Sequence, residues 1–414
     1  MSPIWHPFTQ HGLGEPIPLV TRAEGSAIFT ADGRRVIDAI SSWWVTTHGH
    51  CHPRIMQAIA DQAQRLDQLI FAGWTHEPAE ALARDLVAIT PPELAHVFFS
   101  DSGSTSVEVA LKMALGYWAN RGEPRHRILV LEHGYHGDTI GAMSVGARGV
   151  FNRQYAPLLF DVGTIPFPEP GAEQACLDAL DAACRDGAAA FIVEPLVLGA
   201  GGMRFYPAAV LAEMRRICAA HGVLFIADEV MTGWGRTGTR FACEQAGVVP
   251  DLLCLSKGLT GGSLPLAVTL ASEPLFEAHR SDDRARMFFH SSSYTANPIA
   301  CAAACANLAV WREEPVGERI ATLAERQARH VAALGGVGNP RALGTIAAFE
   351  LEDARPGYLS DLAPRLLAFF RERDVLLRPL GNTLYVMPPY CIDEADLATI
   401  YAAIGEAIEV LTAH

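Results

Sequence analysis

VLFIADEVMTGWGRTG at 223–238 and DLLCLSKGLTGG at 251–262 decide the fold class of this chain. Each opens on an unbroken apolar run of strand length and closes on a charged residue, Asp228 in the first and Lys257, 29 positions later, in the second. A strand that is apolar throughout is buried on both faces, as in a parallel sheet covered by helices. A lysine at the end of such a strand cannot carry its ammonium to water, so the charged form is disfavoured and the amine becomes a usable nucleophile. An aspartate at a neighbouring strand end is placed to pair with a buried cation. Amine and carboxylate so arranged suit a pyridoxal 5'-phosphate (PLP) site, with the lysine bonded to the aldehyde and the aspartate keeping the pyridine nitrogen protonated. Taken alone, the two residues also fit a structural buried ion pair.

The same alternation extends to both sides. Strands are predicted at 96–101, 127–134, 189–196, 223–230, 251–258 and 266–272, with helices at 104–122, 172–187 and 207–222 between them. That order predicts an α/β fold with a mostly parallel sheet, in which reactive groups gather beyond the carboxyl ends of the strands. Ser100-Asp101, the stretch His133 to His136, Glu194, Asp228 and Lys257 all fall at such ends. After Pro298 the pattern changes to an Ala-rich helix (299–312), an amphipathic helix (315–334) and then mixed α+β segments. Three units are expected: an N-terminal segment 1–52 that joins the small domain, a large cofactor-binding domain 53–297, and a small α+β domain 298–414.

Composition narrows the function. The chain has 414 residues, half of them hydrophobic, and a formal net charge of −14 with no basic run, which argues against nucleic acid or an anionic membrane as partner. Nine scattered cysteines without a C-x-x-C pair read as reduced core residues. The opening MSPIWHPFTQ has no signal-peptide pattern and no apolar stretch reaches membrane-spanning length, so a soluble cytoplasmic protein is expected.

Asp101-Ser102-Gly103-Ser104-Thr105 follows a strand and opens a long helix, where free N–H groups and hydroxyls form an anion site; alone, such a loop is more often an N-cap. In register with Asp228 and Lys257 it becomes a phosphate cradle. Tyr135, within GYHGD (134–138), is an aromatic to lie against a cofactor ring, flanked by glycines that permit close approach. Two patterns mislead. Gly233 to Gly238 matches G-x-G-x-x-G, but it comes late in the sheet and opens no long helix, unlike a dinucleotide fingerprint. His48-Gly49-His50-Cys51-His52 resembles metal ligands yet lacks a carboxylate or C-x-x-C partner; a hydrogen-bonded turn capping a helix from Pro53 is expected there, and no metal.

These motifs together resemble the class III (ω-type) aminotransferases, PLP enzymes of fold type I. The likeness spans nearly the whole chain, through SSWWVTTHGHCHP, DSGSTSVEVALKMALGYW, GYHGDTIGAMSV, DEVMTGWGRTG, SKGLTGG and LRPLGNTLYVMPPY. Trp43-Trp44 and the tail from Arg378 to Tyr390 resemble the branch of the class that serves biotin biosynthesis.

The resemblance implies a role for each matching residue. Lys257 is the Schiff-base lysine, Asp228 the pyridinium partner, Gly103 and Ser104 the phosphate binders, and Tyr135 packs at ring and substrate. Phe8, Trp43, Trp44, Ser291 and Arg378 line the substrate pocket, with Arg378 on a carboxylate. Ser292 and Ser293 lie in a loop that reaches the phosphate of the neighbouring subunit, which implies a homodimer with shared sites. Phe8 replaces a tyrosine usual in the family, Ser291 and Ser292 replace glycine and proline, and Leu198 stands where glutamine is common. The reaction implied is transfer of an amino group from S-adenosylmethionine to 8-amino-7-oxononanoate. The alternatives are another donor such as lysine, a different ω-amino acid substrate, another PLP chemistry on this fold, or a non-enzymatic binding protein.

Overall fold

A computed structural model describes residues 2–352 and 359–411 and gathers the apolar runs into one seven-stranded sheet. Met1, 353–358 and 412–414, which fall in the first and third expected units, lie outside the described residues. The strand order is His96–Ser100, Ala267–Ala271, Leu252–Leu255, Leu224–Asp228, Ala190–Val193, Ile128–Leu131 and Gly163–Ile165. All are parallel except Ala267–Ala271, which runs against both neighbours. The edge strand Gly163–Ile165 is three residues long, too short to stand out as an apolar run. Every residue of the four strands from Ile128–Leu131 to Leu252–Leu255 in this order is buried, as two covered faces require. Three covering helices are Gly103–Asn120, Glu173–Arg185 and Ala208–Ala220.

Besides a two-stranded pair, Val197–Leu198 with Arg204–Phe205, two smaller sheets accompany this core. Val20–Glu24, Ala27–Thr30 and Arg35–Asp38 form an antiparallel meander that is completed by Val375–Leu376 in parallel, Ile37 facing Val375. Gly338–Leu343, Ile346–Glu350 and Thr383–Val386 form the other. Ile37 and Ala39 share one apolar cluster with Phe349, Phe370 and Ile404, so the start of the chain packs with its end. The helix Pro298–Glu313 lies against Pro53–Ala63 and Glu77–Ile89. Among the described residues no helix is long and apolar enough to cross a membrane.

Trp43 and Trp44 sit in a turn, Ser41–Trp44, whose four residues have φ of 52°, 50°, 84° and 72°. Consecutive non-glycine residues in the left-handed region cost about 1–2 kcal/mol each, so tertiary anchors must hold them. Ser42 donates from its backbone N–H and hydroxyl to Asp38, at 2.9 and 2.8 Å, and Ser41 Oγ donates to Met387 O at 2.8 Å. The turn separates the tryptophans, with Trp44 5% exposed and Trp43 38%.

The histidine cluster does not cap the helix Pro53–Ala63 through a side chain. His48 reaches Asn307, His50 reaches Asp38 and His52 reaches Glu314, each through Nε2.

Candidate active site

Lys257 stands two residues beyond the strand Leu252–Leu255, at the start of a tight turn, Lys257–Thr260, with a left-handed φ of 47°. Asp228 is the last residue of the adjacent strand, so the paired strands bring both side chains to one edge. They line a cavity of about 130 Å³ together with Gly103, Ser104, Tyr135 and Trp44. The Lys257 amine lies 5.3 Å from the centroid of the Trp44 ring, and among the described residues it makes no hydrogen bond or ion pair. Burial lowers its pKa; Asp228 and Glu194 oppose that shift and Arg236 adds to it. The result is an amine shifted toward its neutral, nucleophilic form.

Asp228 is gripped from behind. His136 donates from Nδ1 to Oδ2 at 2.7 Å, and the Val230 amide donates to Oδ1 at 3.1 Å. Beside them Glu194 accepts from the amides of Tyr135 (3.0 Å) and Gly199 (2.9 Å). Burial pushes its pKa up to about 7, helped by the charge of Asp228. Tyr135 is thereby held by its backbone at the cavity wall, and burial raises the pKa of its phenol.

At the other end the helix Gly103–Asn120 presents its N-terminus. Ser102 is the N-cap, its hydroxyl accepting from the Thr105 amide at 3.2 Å while Thr105 Oγ1 accepts from the Ser102 amide at 2.9 Å. The first-turn amides of Gly103 and Ser104 have no intrahelical acceptor, the usual arrangement of an anion site. Gly137, at φ 127°, passes so close that a Cβ there would collide with Ser104. A larger cavity of about 480 Å³ shares Tyr135 and Gly137 with the inner one and extends past Phe151 and Arg204.

Phe8, Trp43 and Arg378 form a second group. The rings of Phe8 and Trp43 meet edge-on at 5.4 Å, the Arg378 guanidinium lies 5.4 Å from the Trp43 centroid, and Arg378 donates to the Phe8 carbonyl at 3.3 Å. Phe8 also meets Phe151 of the larger cavity at 6.2 Å. Among the described residues Arg378 has no carboxylate partner.

The structure therefore brings Lys257, Asp228, Tyr135, Gly103, Ser104 and Trp44 to one cavity, with Phe8, Trp43 and Arg378 in a neighbouring cluster. Ser291, Ser292 and Ser293 do not line that cavity within one chain. They sit in a turn where the Ser292 amide donates to Thr295 Oγ1 at 2.9 Å and Gln68 donates to the Ser293 carbonyl.

Three residues here carry no role in the sequence reading. His136 and Glu194 stand at predicted strand ends, which is the signal for them. Arg236 hides in the glycine-rich motif: fully buried, without a carboxylate, it donates to the carbonyls of Pro388 (3.1 Å), Trp44 (3.3 Å) and Thr46 (3.1 Å). The glycines of that motif serve packing, since a Cβ at Gly235 would collide with Ile320.

An unpartnered buried amine, a carboxylate backed by an imidazole and an open helix turn fit an aromatic aldehyde that carries a phosphate. PLP is that group.

The comparisons agree. The class-III aminotransferase family matches residues 9–408. The chain is 48% identical over 98% of its length to an adenosylmethionine-8-amino-7-oxononanoate aminotransferase of Synechococcus elongatus, covering 98% of that protein. It superposes on the crystal structure of an enzyme of that name from Methanocaldococcus jannaschii with a TM-score of 0.92 at 34% identity, over 98% of this chain and 97% of the other. An amine transaminase from an uncultivated Pseudomonas species, solved with PLP bound, gives a TM-score of 0.92 at 32% identity over 100% and 99%.

Proposed function

Since the chain belongs to the class-III aminotransferase family and is a PLP-dependent aminotransferase, we propose that it moves the amino group of S-adenosylmethionine to 8-amino-7-oxononanoate, forming 7,8-diaminononanoate for biotin synthesis. Whole-length likeness to relatives of that name is the observation that carries the proposal.

Lys257 would hold the cofactor covalently, Asp228 would keep its ring nitrogen protonated, and the first-turn amides of Gly103 and Ser104 would receive its phosphate. Bound PLP supplies an electron sink that stabilises the carbanion left when the substrate carbon loses its proton. The free Lys257 amine would take a proton from the substrate carbon and return it one position away, as base and then acid. Its lowered pKa leaves a larger neutral fraction for the first of those tasks. Trp44 closes the inner wall and excludes water.

Both substrates use one pocket in turn. Trp43 and Phe8 offer an apolar wall to the aliphatic chain, and Arg378 meets the far carboxylate with its planar guanidinium. The reading assigns the cofactor to 53–297 and the carboxylate end to the flanking segments 1–52 and 298–414. It makes the active unit a cytoplasmic homodimer, with Ser292 and Ser293 of each chain serving the phosphate site of the other.

The test is to mix purified enzyme with S-adenosylmethionine, lysine or other amines one at a time, and follow loss of the lysine-bound cofactor's absorption. 8-Amino-7-oxononanoate is then added and the diamine identified by mass. Turnover with lysine alone would move the assignment to the second donor, the alternative that the departures at Phe8 and Ser291 motivate.

A further inference from the structure

Asn307 lies in the middle of Pro298–Glu313, a helix built mostly of alanine and other apolar residues, and its side chain is 0% exposed. A buried amide in such a place persists only with its hydrogen bonds made. Asn307 makes them to one target. Its Nδ2 donates to the carbonyls of Gly258 and Leu259, both at 3.0 Å. These are the two carbonyls that follow Lys257, within the turn that starts at its left-handed backbone. Its Oδ1 is 2.8 Å from Nε2 of His48.

The direction of this relay is fixed. Two carbonyls require Nδ2 to face the turn, so Oδ1 faces His48, and an amide oxygen only accepts. His48 must therefore carry its proton on Nε2. Burial pushes the His48 pKa down to about 4, so the ring is neutral over the working range. Its bare Nδ1 has no partner, which agrees with a single proton held on the other nitrogen. Gly261, at φ 65°, lets the parts close up: a Cβ there would collide with Ile55 and touch Asn307 Oδ1 at 3.4 Å.

We propose that Asn307, oriented by His48, is a positioning residue for Lys257, clamping the turn that sets the direction of the catalytic amine. Without the clamp, the Leu259 carbonyl loses its side-chain donor, the Gly258 carbonyl keeps only the Gly261 amide, and a non-glycine residue in left-handed geometry loses its support. The amine then samples directions away from the cavity, and both cofactor capture and proton transfer slow.

The proposal rests on Lys257 as the cofactor's lysine. The experiment is capture of PLP by the stripped full-length enzyme, followed by absorption, in Asn307→Leu, His48→Leu and His48→Gln. Asn307→Leu is expected to slow capture about tenfold, lower kcat by a similar factor with KM for the donor within about threefold, and shift the pH dependence of capture. His48→Leu should show the same pattern. His48→Gln, whose amide can donate to Asn307 Oδ1, should recover most of that loss. If Asn307→Leu does not fold, the His48 pair decides.

A folded Asn307→Leu with parental capture, kcat and pH profile overturns the proposal, as does a His48→Gln no better than His48→Leu. Lys257→Ala separates the two readings. Full capture without Lys257 defeats the lysine assignment itself, whereas capture that needs Lys257 but ignores Asn307 defeats only the clamp.

Discussion

His136 Nδ1 and Asp228 Oδ2 lie 2.7 Å apart, with side chains only 1% and 5% exposed. Burial disfavours charge on the imidazole, yet the hydrogen bond and charge of Asp228 prevail and raise the His136 pKa above its ordinary value. The carboxylate proposed to serve the cofactor's ring nitrogen is thus braced by a group with no other polar partner among the described residues.

His136→Leu should strip that brace and leave a buried carboxylate with the Val230 amide as its remaining donor. Removing one member of a buried pair costs about 3–5 kcal/mol. Denaturant titration should show a loss of that order, and the Kd for PLP should rise at least tenfold. A variant equal to its parent in both would show the contact to be idle.

Stability should fall as pH rises from about 5 to 8. Glu194 and Glu229 are buried carboxyls whose pKa values burial pushes up from 4.5 to about 7. A raised acid binds its proton more tightly in the folded state, so its contribution is full below about 4.5 and is lost as pH climbs through about 7. His136 acts in the same direction, contributing fully below 6.5 and less as pH passes its raised value. Each carboxyl is worth on the order of 3 kcal/mol across the window. Glu229→Gln should flatten the slope of the thermal midpoint against pH; an unchanged slope would mean that Glu229 does not titrate there.

Arg378→Ala should weaken the acceptor half-reaction by about 2–4 kcal/mol, because a substrate carboxylate would face an apolar wall. The donor half-reaction should lose less. Stopped-flow traces of the two halves decide the point, and equal losses would assign Arg378 to both substrates or to the fold.

The two tryptophans should separate cleanly. Trp44, buried and donating from Nε1 to the Tyr385 hydroxyl at 3.0 Å, should cost about 3–5 kcal/mol of stability when cut to alanine. Trp43→Ala should leave the thermal midpoint within a few degrees and raise KM for the acceptor. The reverse pattern would place the substrate wall on Trp44.

Much of this was legible in the chain because burial writes itself into composition. The strands Leu224–Asp228 and Leu252–Leu255 stay apolar until they end, so Asp228 and Lys257 mark the proposed catalytic edge of the sheet in the sequence itself. The left-handed turn at 41–44 was not legible, because its backbone is held by Asp38, Met387 and Arg236, and no local residue preference announces it. Glu194 gains its role from an amide 59 positions earlier, and Arg236 from carbonyls on two remote segments. Such contacts follow from topology, and a pattern of hydrophobic residues does not encode them. Ser291 to Ser293 lie away from the cavity within the chain, and their proposed role depends on the proposed homodimer.

The pairing of Arg35–Asp38 with Val375–Leu376 has a consequence for synthesis. A ribosome emits the first strands more than three hundred residues before the strand that completes their sheet, and Arg35 must wait equally long for Asp396, 2.6 Å away in the finished protein. The sheet that bears Lys257 closes with Ala267–Ala271, while the nascent N-terminus still displays an unpaired strand edge and exposed Ile4, Trp5 and Phe8. Contacts of such long sequence separation form late and leave the edge open to aggregation in the interval. The sheet beside Lys257 can close first, whereas the proposed substrate wall, Phe8 and Trp43 with Arg378, is complete only once the far end of the chain arrives.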